Sequence, residues 1–325
     1  MSATPVSVDD DHVAELTPAR DSWMLLAAAV GTVFERAGID YLVIKGAVAD
    51  IRGVRREKVS ADLDVLVRPA DIDRAGAALR GWGWEGAPAM AGTEEVAGHA
   101  FTFIHPRWPL AVDLHRRFPG FTEGADRAFA TLWDGRTPIV VAGALCDAPA
   151  KAGTLVIEGL NSLRSAVSEP GRASELDHLR SVIAGLPGGE RDELVSLADR
   201  AGAAFALHPL LSADGAASGR PPANTDELEW VLRGEGGGTL VSQAVAALYT
   251  GRGGSRVRLL WRLFWPARDQ LLDAYGQLDR SWWAVARLRW ERMMRGGAQL
   301  PAATVRTLRA GRRVSRREPP HVTSA

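Results

Sequence analysis

The first 145 residues alternate short apolar runs with longer amphipathic segments. The run at 41–44 is wholly apolar, and the run at 62–67 alternates apolar and acidic side chains with the period of a strand. Further strands are predicted at residues 101–104 and 110–115, helices at 21–36, 71–81 and 125–133, and a short apolar segment at 139–145. Strands mixed with helices in this order indicate an α/β (α+β) fold, with a mixed sheet flanked by helices.

Beyond residue 145 the apolar positions recur with the period of a helix, so this part is expected to be mostly helical. Helices are predicted at residues 148–168, 174–183, 191–204, 239–249, 257–275 and 282–295. Stretches rich in Gly, Pro and small residues are predicted loops at 185–189, 212–224 and 234–238. A chain of 325 residues normally forms about two domains. We predict an α/β domain at 1–145, a helical domain at 146–300 and a basic, flexible tail at 301–325.

Two pairs of polar side chains interrupt the predicted strands. Asp62 and Asp64 are two residues apart, so they point to the same face of their strand, and Asp113 shares a face with His115 in the later strand. Isolated Asp-x-Asp pairs are most often solvated acids or helix caps. Three carboxylates on adjacent strands repel one another unless a cation neutralises them, and such oxygen ligands suit Mg²⁺ or Mn²⁺. The pattern therefore predicts a divalent-metal site.

A strand-to-helix turn at Lys45-Gly46 precedes the acidic strand. Glycine at this junction allows backbone N–H groups to approach a phosphate. Lys45 is a candidate positive charge for a triphosphate, although a lysine that leaves a strand is more often simply solvated.

The residues of this segment, taken together, resemble a known family. The run at 42–46, an arginine-containing stretch that ends at Arg56, the acidic strand at 62–67 and the run at 112–115 look like the uncharacterised nucleotidyltransferase family of the DNA polymerase β-like superfamily. The resemblance implies that Asp62, Asp64 and Asp113 bind metal and are catalytic. It implies nucleotide binding by Lys45, Gly46, Ala47 and Arg56. His115 is a candidate for contact with substrate or metal because it shares the face of Asp113.

The expected reaction moves NMP from an NTP to a hydroxyl-bearing acceptor and releases pyrophosphate. Asp62 and Asp64 would hold the ion at the β and γ phosphates, and Asp113 would complete a second metal position and help to deprotonate the acceptor. ATP is the expected donor. The acceptor stays open among a protein, an RNA and a small molecule.

Three positions depart from the family pattern, and they leave room for a different function. Ala47 stands where the family has a serine or glycine, Arg116 where it usually has a tryptophan, and Asn161 where it tends to have a histidine. The last change affects the acceptor side of the site. A non-catalytic binding or scaffold module on the same fold is therefore an alternative hypothesis.

The basic C-terminal third suggests another alternative, although the formal net charge of the chain is zero. Arginines are interleaved there with tryptophans, as in proteins that bind RNA. The helical spacing of Trp265, Trp282 and Trp290 instead favours packing in a core or an interface. The RNA-associated function stays open.

Three features of the sequence bear on its location in the cell. The single cysteine, Cys146, excludes an internal disulfide, and the first 15 residues are polar and acidic, unlike a secretory signal. The chain has no run of about 18 apolar residues. We expect a cytoplasmic protein without a transmembrane segment.

Overall fold

The computed structural model describes residues 19–56, 58–87, 100–165, 172–212, 218, 220–235, 240–250, 265, 268, 271–272 and 281–316. The strands are β1 (Tyr41–Ile44), β2 (Asp62–Val67), β3 (Glu85–Gly86), β4 (Ala100–Ile104), β5 (Ala111–His115), β6 (Ile139–Val141) and β7 (Ala144–Cys146). The helices of the N-terminal part are α1 (Ala19–Arg36), α2 (Gly46–Ile51), α3 (Ile72–Gly81) and α4 (Ala125–Asp134). A 3₁₀ turn, Pro69–Asp71, precedes α3.

Strands β1 to β5 form one mixed sheet in the order β1-β2-β5-β4-β3. The β2 and β5 strands are parallel, and the other pairs are antiparallel. The two faces of this sheet contribute to different apolar clusters, because side chains alternate along each strand. On one face, Val65 and Leu114 pack with α1 and α3, whereas on the other face Leu42 and Leu66 pack with α4 and the later helices. The expected mixed α/β fold is confirmed.

The later part of the described chain is helical, as expected. Its helices are α5 (Lys151–Ser165), α6 (Arg172–Ala184), α7 (Gly188–Arg200), α8 (Ala204–Leu211), α9 (Thr225–Glu235), α10 (Leu240–Thr250) and α11 (Trp282–Arg316). Helix α5 contacts α6, α7 and α8, and it also contacts α2 and α9. The apolar cluster that contains Leu66 of the sheet also contains Leu160 of α5. The proposed division after residue 145 thus falls within β7, and it stays a prediction.

The sequence-based boundaries differ from the observed ones in several places. The apolar segment at 139–145 is a small hairpin, β6–β7, and Ala142 and Gly143 form its turn with positive φ angles of 46° and 79°. Two helices were not predicted, namely α8, which ends directly before the loop expected at 212–224, and α9, which follows that loop. In α8 the buried positions Ala206, Leu207 and Leu210 complete the cluster around α5, so packing stabilises a short segment that contains Pro209.

Helix α11 extends well past its predicted end at residue 295. It contains Gly296, Gly297 and Pro301, which lower helix propensity, but Ala303 and Thr307 beyond them are buried and the helix packs against α10. Packing therefore overrides local propensity. Most of the helix predicted at 257–275 and the end of the tail, 317–325, lie outside the described residues.

The tryptophans of α11 do not occupy the core that their spacing suggested. Trp282, Trp283 and Trp290 are exposed, and the buried stripe of the helix contains Val285 and Leu288. Trp265 is also exposed, with the guanidinium of Arg289 at 4.4 Å from the centre of its ring. None of the helices in the described ranges is long and apolar enough to cross a membrane.

Candidate active site

The register of two parallel strands brings the predicted carboxylates together. Asp64 of β2 lies directly opposite Asp113 of β5, and Asp62 faces Ala111 one repeat earlier. All three acids occupy the sheet face on which Leu66 packs against the helices, so they replace apolar side chains at its edge. The sequence-based expectation that a neighbouring strand adds a carboxylate to the pair is therefore met by the fold.

Asp64 lies at the centre of this group and is 5% exposed. Its Oδ1 atom accepts hydrogen bonds from Nζ of Lys45 at 2.6 Å and from Nε2 of His115 at 2.7 Å. Burial alone would raise the pKa of Asp64, but the hydrogen bond from His115 and the charge of Lys45 outweigh burial and lower it to about 2. Asp64 is thus held as a carboxylate.

Asp62 has the opposite electrostatic setting. Burial raises the pKa of its carboxyl group to about 6, and repulsion by Asp64 and then by Asp113 acts in the same direction. Asp113 is half-buried, and its Oδ1 accepts a hydrogen bond from the hydroxyl of Thr102 on β4 at 2.6 Å. One face of the sheet therefore carries three carboxylates in unlike environments.

The donor set fits a divalent cation. Asp64, Asp113 and His115 each offer one ligand atom, and these atoms all lie within 4.8 Å of one another. Two carboxylate oxygens suit Mg²⁺ or Mn²⁺, and an imidazole nitrogen is the softer donor among the three. This group of three contains His115, whereas the set of metal ligands predicted from the sequence contains Asp62 instead.

The turn at Lys45-Gly46 has an unusual backbone. Lys45 has φ 57° and ψ −152°, a conformation that is almost confined to glycine, and Gly46 follows with φ 49°. A Cβ atom on Gly46 would lie 3.0 Å from Ser60 Oγ and 3.0 Å from Trp23 Nε1, so the close packing also requires glycine here. Strain of this kind is typical of functional sites. Here the residue with the strained backbone, Lys45, is also the one whose side chain pairs with Asp64.

The other residues predicted to bind nucleotide differ in their exposure to solvent. Gly46 and Ala47 are buried at the start of α2. Arg56 is exposed and has no hydrogen bond or ion pair within the described chain, whereas the neighbouring Arg55 pairs with Asp50 at 2.8 Å. Arg116 is also exposed, and Asn161 on α5 accepts a hydrogen bond from Arg164 at 3.5 Å.

Glu158 on α5 is a site residue that the sequence analysis did not single out. It is 6% exposed, and its Oε1 atom has no hydrogen-bond partner among the described residues. Burial raises its pKa to about 7, although Arg55 and Lys45 act in the opposite direction. A lone acid within the apolar run Leu155–Leu160 was the available signal, because such a position in a buried helix rarely carries a charge.

Residues 16–157 match the family described as uncharacterised nucleotidyltransferase. The match confirms the family resemblance for that part of the chain, and it covers the whole sheet and the three carboxylates. It ends one residue before Glu158. No curated protein sequence matches significantly.

Among solved structures, an antigenic nucleotidyltransferase-like protein from Paracoccidioides brasiliensis is similar to this chain. The two sequences are 14% identical, the TM-score is 0.37, and the similarity covers 55% of this chain and 88% of the other.

Proposed function

We propose that this protein is a metal-dependent nucleotidyltransferase that moves NMP from an NTP to a hydroxyl-bearing acceptor and releases pyrophosphate. The observation that carries the proposal is the parallel register of β2 and β5, which sets Asp64 opposite Asp113 with Asp62 on the same face. The family match of residues 16–157 supports the same reaction class. ATP is the proposed donor.

In this proposal the carboxylates of Asp62, Asp64 and Asp113 hold the cation, Mg²⁺ or Mn²⁺, and His115 fixes the orientation of Asp64 through its hydrogen bond. When bound, the cation supplies charge stabilisation for the phosphates. Lys45, Gly46, Ala47 and Arg56 bind the nucleotide. Lys45 has an ammonium group that already neutralises part of the acidic cluster, so it is placed to share its charge with a phosphate.

The proposed transfer step conserves atoms and charge in a simple way. The acceptor oxygen forms a bond to the α-phosphorus, and the bond from that phosphorus to the bridging oxygen of the leaving group breaks. Pyrophosphate leaves with the electron pair of that bond. The proton of the acceptor hydroxyl passes to Asp113, which the hydroxyl of Thr102 orients from the next strand.

The direct test is incubation of the purified full chain with each α-³²P-labelled NTP, Mg²⁺ or Mn²⁺, and a lysate of its own host. Asp64→Asn and the double variant Asp62→Ala/Asp64→Ala should transfer at least roughly 100-fold less label, because they remove transition-state charge stabilisation. Asp73→Asn is the matched control, since this acid is exposed on α3. Thermal unfolding of each variant checks that it is folded.

Each result has a defined meaning. Label that requires Asp64 supports nucleotidyl transfer, and the size of the labelled species shows whether the acceptor is a protein, an RNA or a small molecule. Full activity of Asp64→Asn would contradict the assignment. Absence of both label and metal-dependent NTP binding by wild type would favour the non-catalytic module. The cytoplasmic location stays a prediction that fractionation of host cells can test.

A further inference from the structure

A cavity of about 220 Å³ lies between the segment that follows β5 and helix α9. Its walls include Arg117 and Phe118 from the first segment and Asp226, Glu229, Trp230 and Arg233 from the helix. Trp230 and Arg233 lie outside the region that matches the family model. The cavity therefore combines a wall from the nucleotidyltransferase region with a wall that is particular to the later helices.

The walls of this cavity are held together by specific packing. Gly120 has φ 100°, and a Cβ atom there would lie 2.5 Å from Leu160 Cδ2 and 2.9 Å from Trp230 Cζ3. The side-chain amide of Asn224 donates to the carbonyl oxygen of Thr122 at 3.1 Å, and its Oδ1 accepts from the backbone N–H of Glu227 at 2.9 Å. The start of α9 is thus tied directly to the segment after β5.

Phe118 connects the cavity to the acidic cluster. Its ring lines the cavity, and it lies 5.9 Å from the ring of His115 between centroids and 5.3 Å from Nζ of Lys45. Both of these residues hydrogen bond to Asp64. A ligand against Phe118 would therefore be separated from the candidate metal ligands by little more than one aromatic ring.

The charges around the cavity select against simple anions and against purely apolar ligands. The side chains of Arg117 and Asp226 attract each other electrostatically, yet neither side chain makes a hydrogen bond to another residue in the described part of the chain. Arg233 is paired with Glu229. A phosphate would meet two carboxylates here, and an apolar ligand would desolvate Arg117 and Asp226 without replacing their hydrogen bonds to water.

A nucleobase satisfies both requirements. It has a flat face that stacks on aromatic side chains and on guanidinium groups, and Trp230 and Arg117 offer such surfaces. Its edge carries both acceptors, which suit Arg117, and N–H donors, which suit Asp226. We propose that this cavity binds a nucleobase, with Trp230 as a stacking surface and Asp226 as the acceptor that sets base preference. This inference rests on the proposed nucleotidyl transfer.

The base can come from the donor NTP or from a nucleotide at the end of the acceptor, and the test separates the two. Calorimetry of the full chain with Mg²⁺ compares the four NTPs, the four nucleosides and inorganic tripolyphosphate, which has no base. For a donor base, Trp230→Ala should weaken binding of the preferred NTP roughly tenfold or more and leave tripolyphosphate binding unchanged. Asp226→Asn should change the ranking of the four bases.

Controls keep this test independent of folding. Trp82→Ala removes an exposed tryptophan that directly follows α3, and it should have no effect on NTP binding. Because Trp230 packs against the core, Asp226→Asn, which changes an exposed residue, provides the second variant if Trp230→Ala unfolds. If the base belongs to the acceptor, both variants raise the KM for a nucleotide-ended acceptor and leave NTP binding intact.

The two proposals can fail separately. Base-dependent nucleoside binding that requires Asp226, without any transfer of label, would support the cavity and contradict the reaction. Transfer that requires Asp64, with NTP affinity, base ranking and acceptor KM all unchanged in Trp230→Ala and Asp226→Asn, would support the reaction and overturn the nucleobase site.

Discussion

The strand side and the helical side of the candidate site differ in how they are built. The strand side consists of carboxylates on β2 and β5, lies within the region that matches the family, and is ordered by sheet register. The helical side consists of Glu158 on α5 and the wall of the cavity on α9, and it lies beyond the matched region. The first side carries the carboxylates on which the proposed reaction depends. The second side is where we expect this protein to acquire its own specificity.

The largest effect should come from the strand side. Asp113→Asn keeps the size of the side chain and its contact with Thr102 but removes one negative charge from the cluster. We expect kcat for label transfer to fall by at least roughly 100-fold, with a small change in thermal stability. Rapid-quench or steady-state label transfer gives kcat, and Asp126→Asn on the exposed surface of α4 is the control. An unchanged kcat would remove Asp113 from the catalytic group.

On the helical side, Glu158 should make the free energy of unfolding depend on pH. Because the pKa of Glu158 is raised in the folded state to about 7 from an ordinary 4.5, the folded protein binds the proton more tightly than the unfolded chain. The free energy of unfolding therefore falls as pH rises from about 4.5 to 7, by roughly 3 kcal/mol from this group. Above the folded pKa the loss is complete.

Glu158→Gln should abolish this part of the pH dependence, since glutamine does not ionise. Urea unfolding at pH 5 and pH 8 measures the difference, and the wild type should lose more stability than the variant between the two pH values. Glu193→Gln, at an exposed position on α7, should behave as wild type. Identical pH slopes for wild type and Glu158→Gln would show that the pKa of Glu158 is not raised in the folded protein.

The same contrast explains what could be predicted from the sequence. Alternation with a period of two fixes the face of Asp62 and Asp64 without knowledge of the fold, and adjacent strands then need only a register to add Asp113. No local pattern states that Glu158 of α5 approaches Lys45 and Asp64, or that Trp230 approaches Gly120, because these approaches depend on how distant segments pack. The positive φ of Lys45 could not be predicted from the sequence either, since lysine has no preference for it.

Helix boundaries were lost for a related reason. Pro209 and Pro301 disfavour a helix locally, but both lie inside helices that bury apolar side chains. A proline in a helix interior costs about 3 kcal/mol relative to alanine, and burial of a few apolar side chains offsets that cost. The tertiary contacts of α8 and α11 therefore decide their extent, whereas β1 and β2 keep the bounds that their pattern indicates.

The smallest expected effect concerns the support of Asp113 by the neighbouring strand. Thr102→Val removes the hydroxyl that donates to Asp113 at 2.6 Å and leaves the shape of the side chain nearly unchanged. One hydrogen bond at an exposed position contributes about 1 kcal/mol, so we expect roughly a fivefold loss in kcat with unchanged NTP affinity. Thr102→Ser retains the hydroxyl and should recover most of the rate. A structural role of Thr102 in β4 alone would lower stability in Thr102→Val without altering kcat. A loss confined to kcat would therefore extend the strand side of the site by one residue, from β5 to β4.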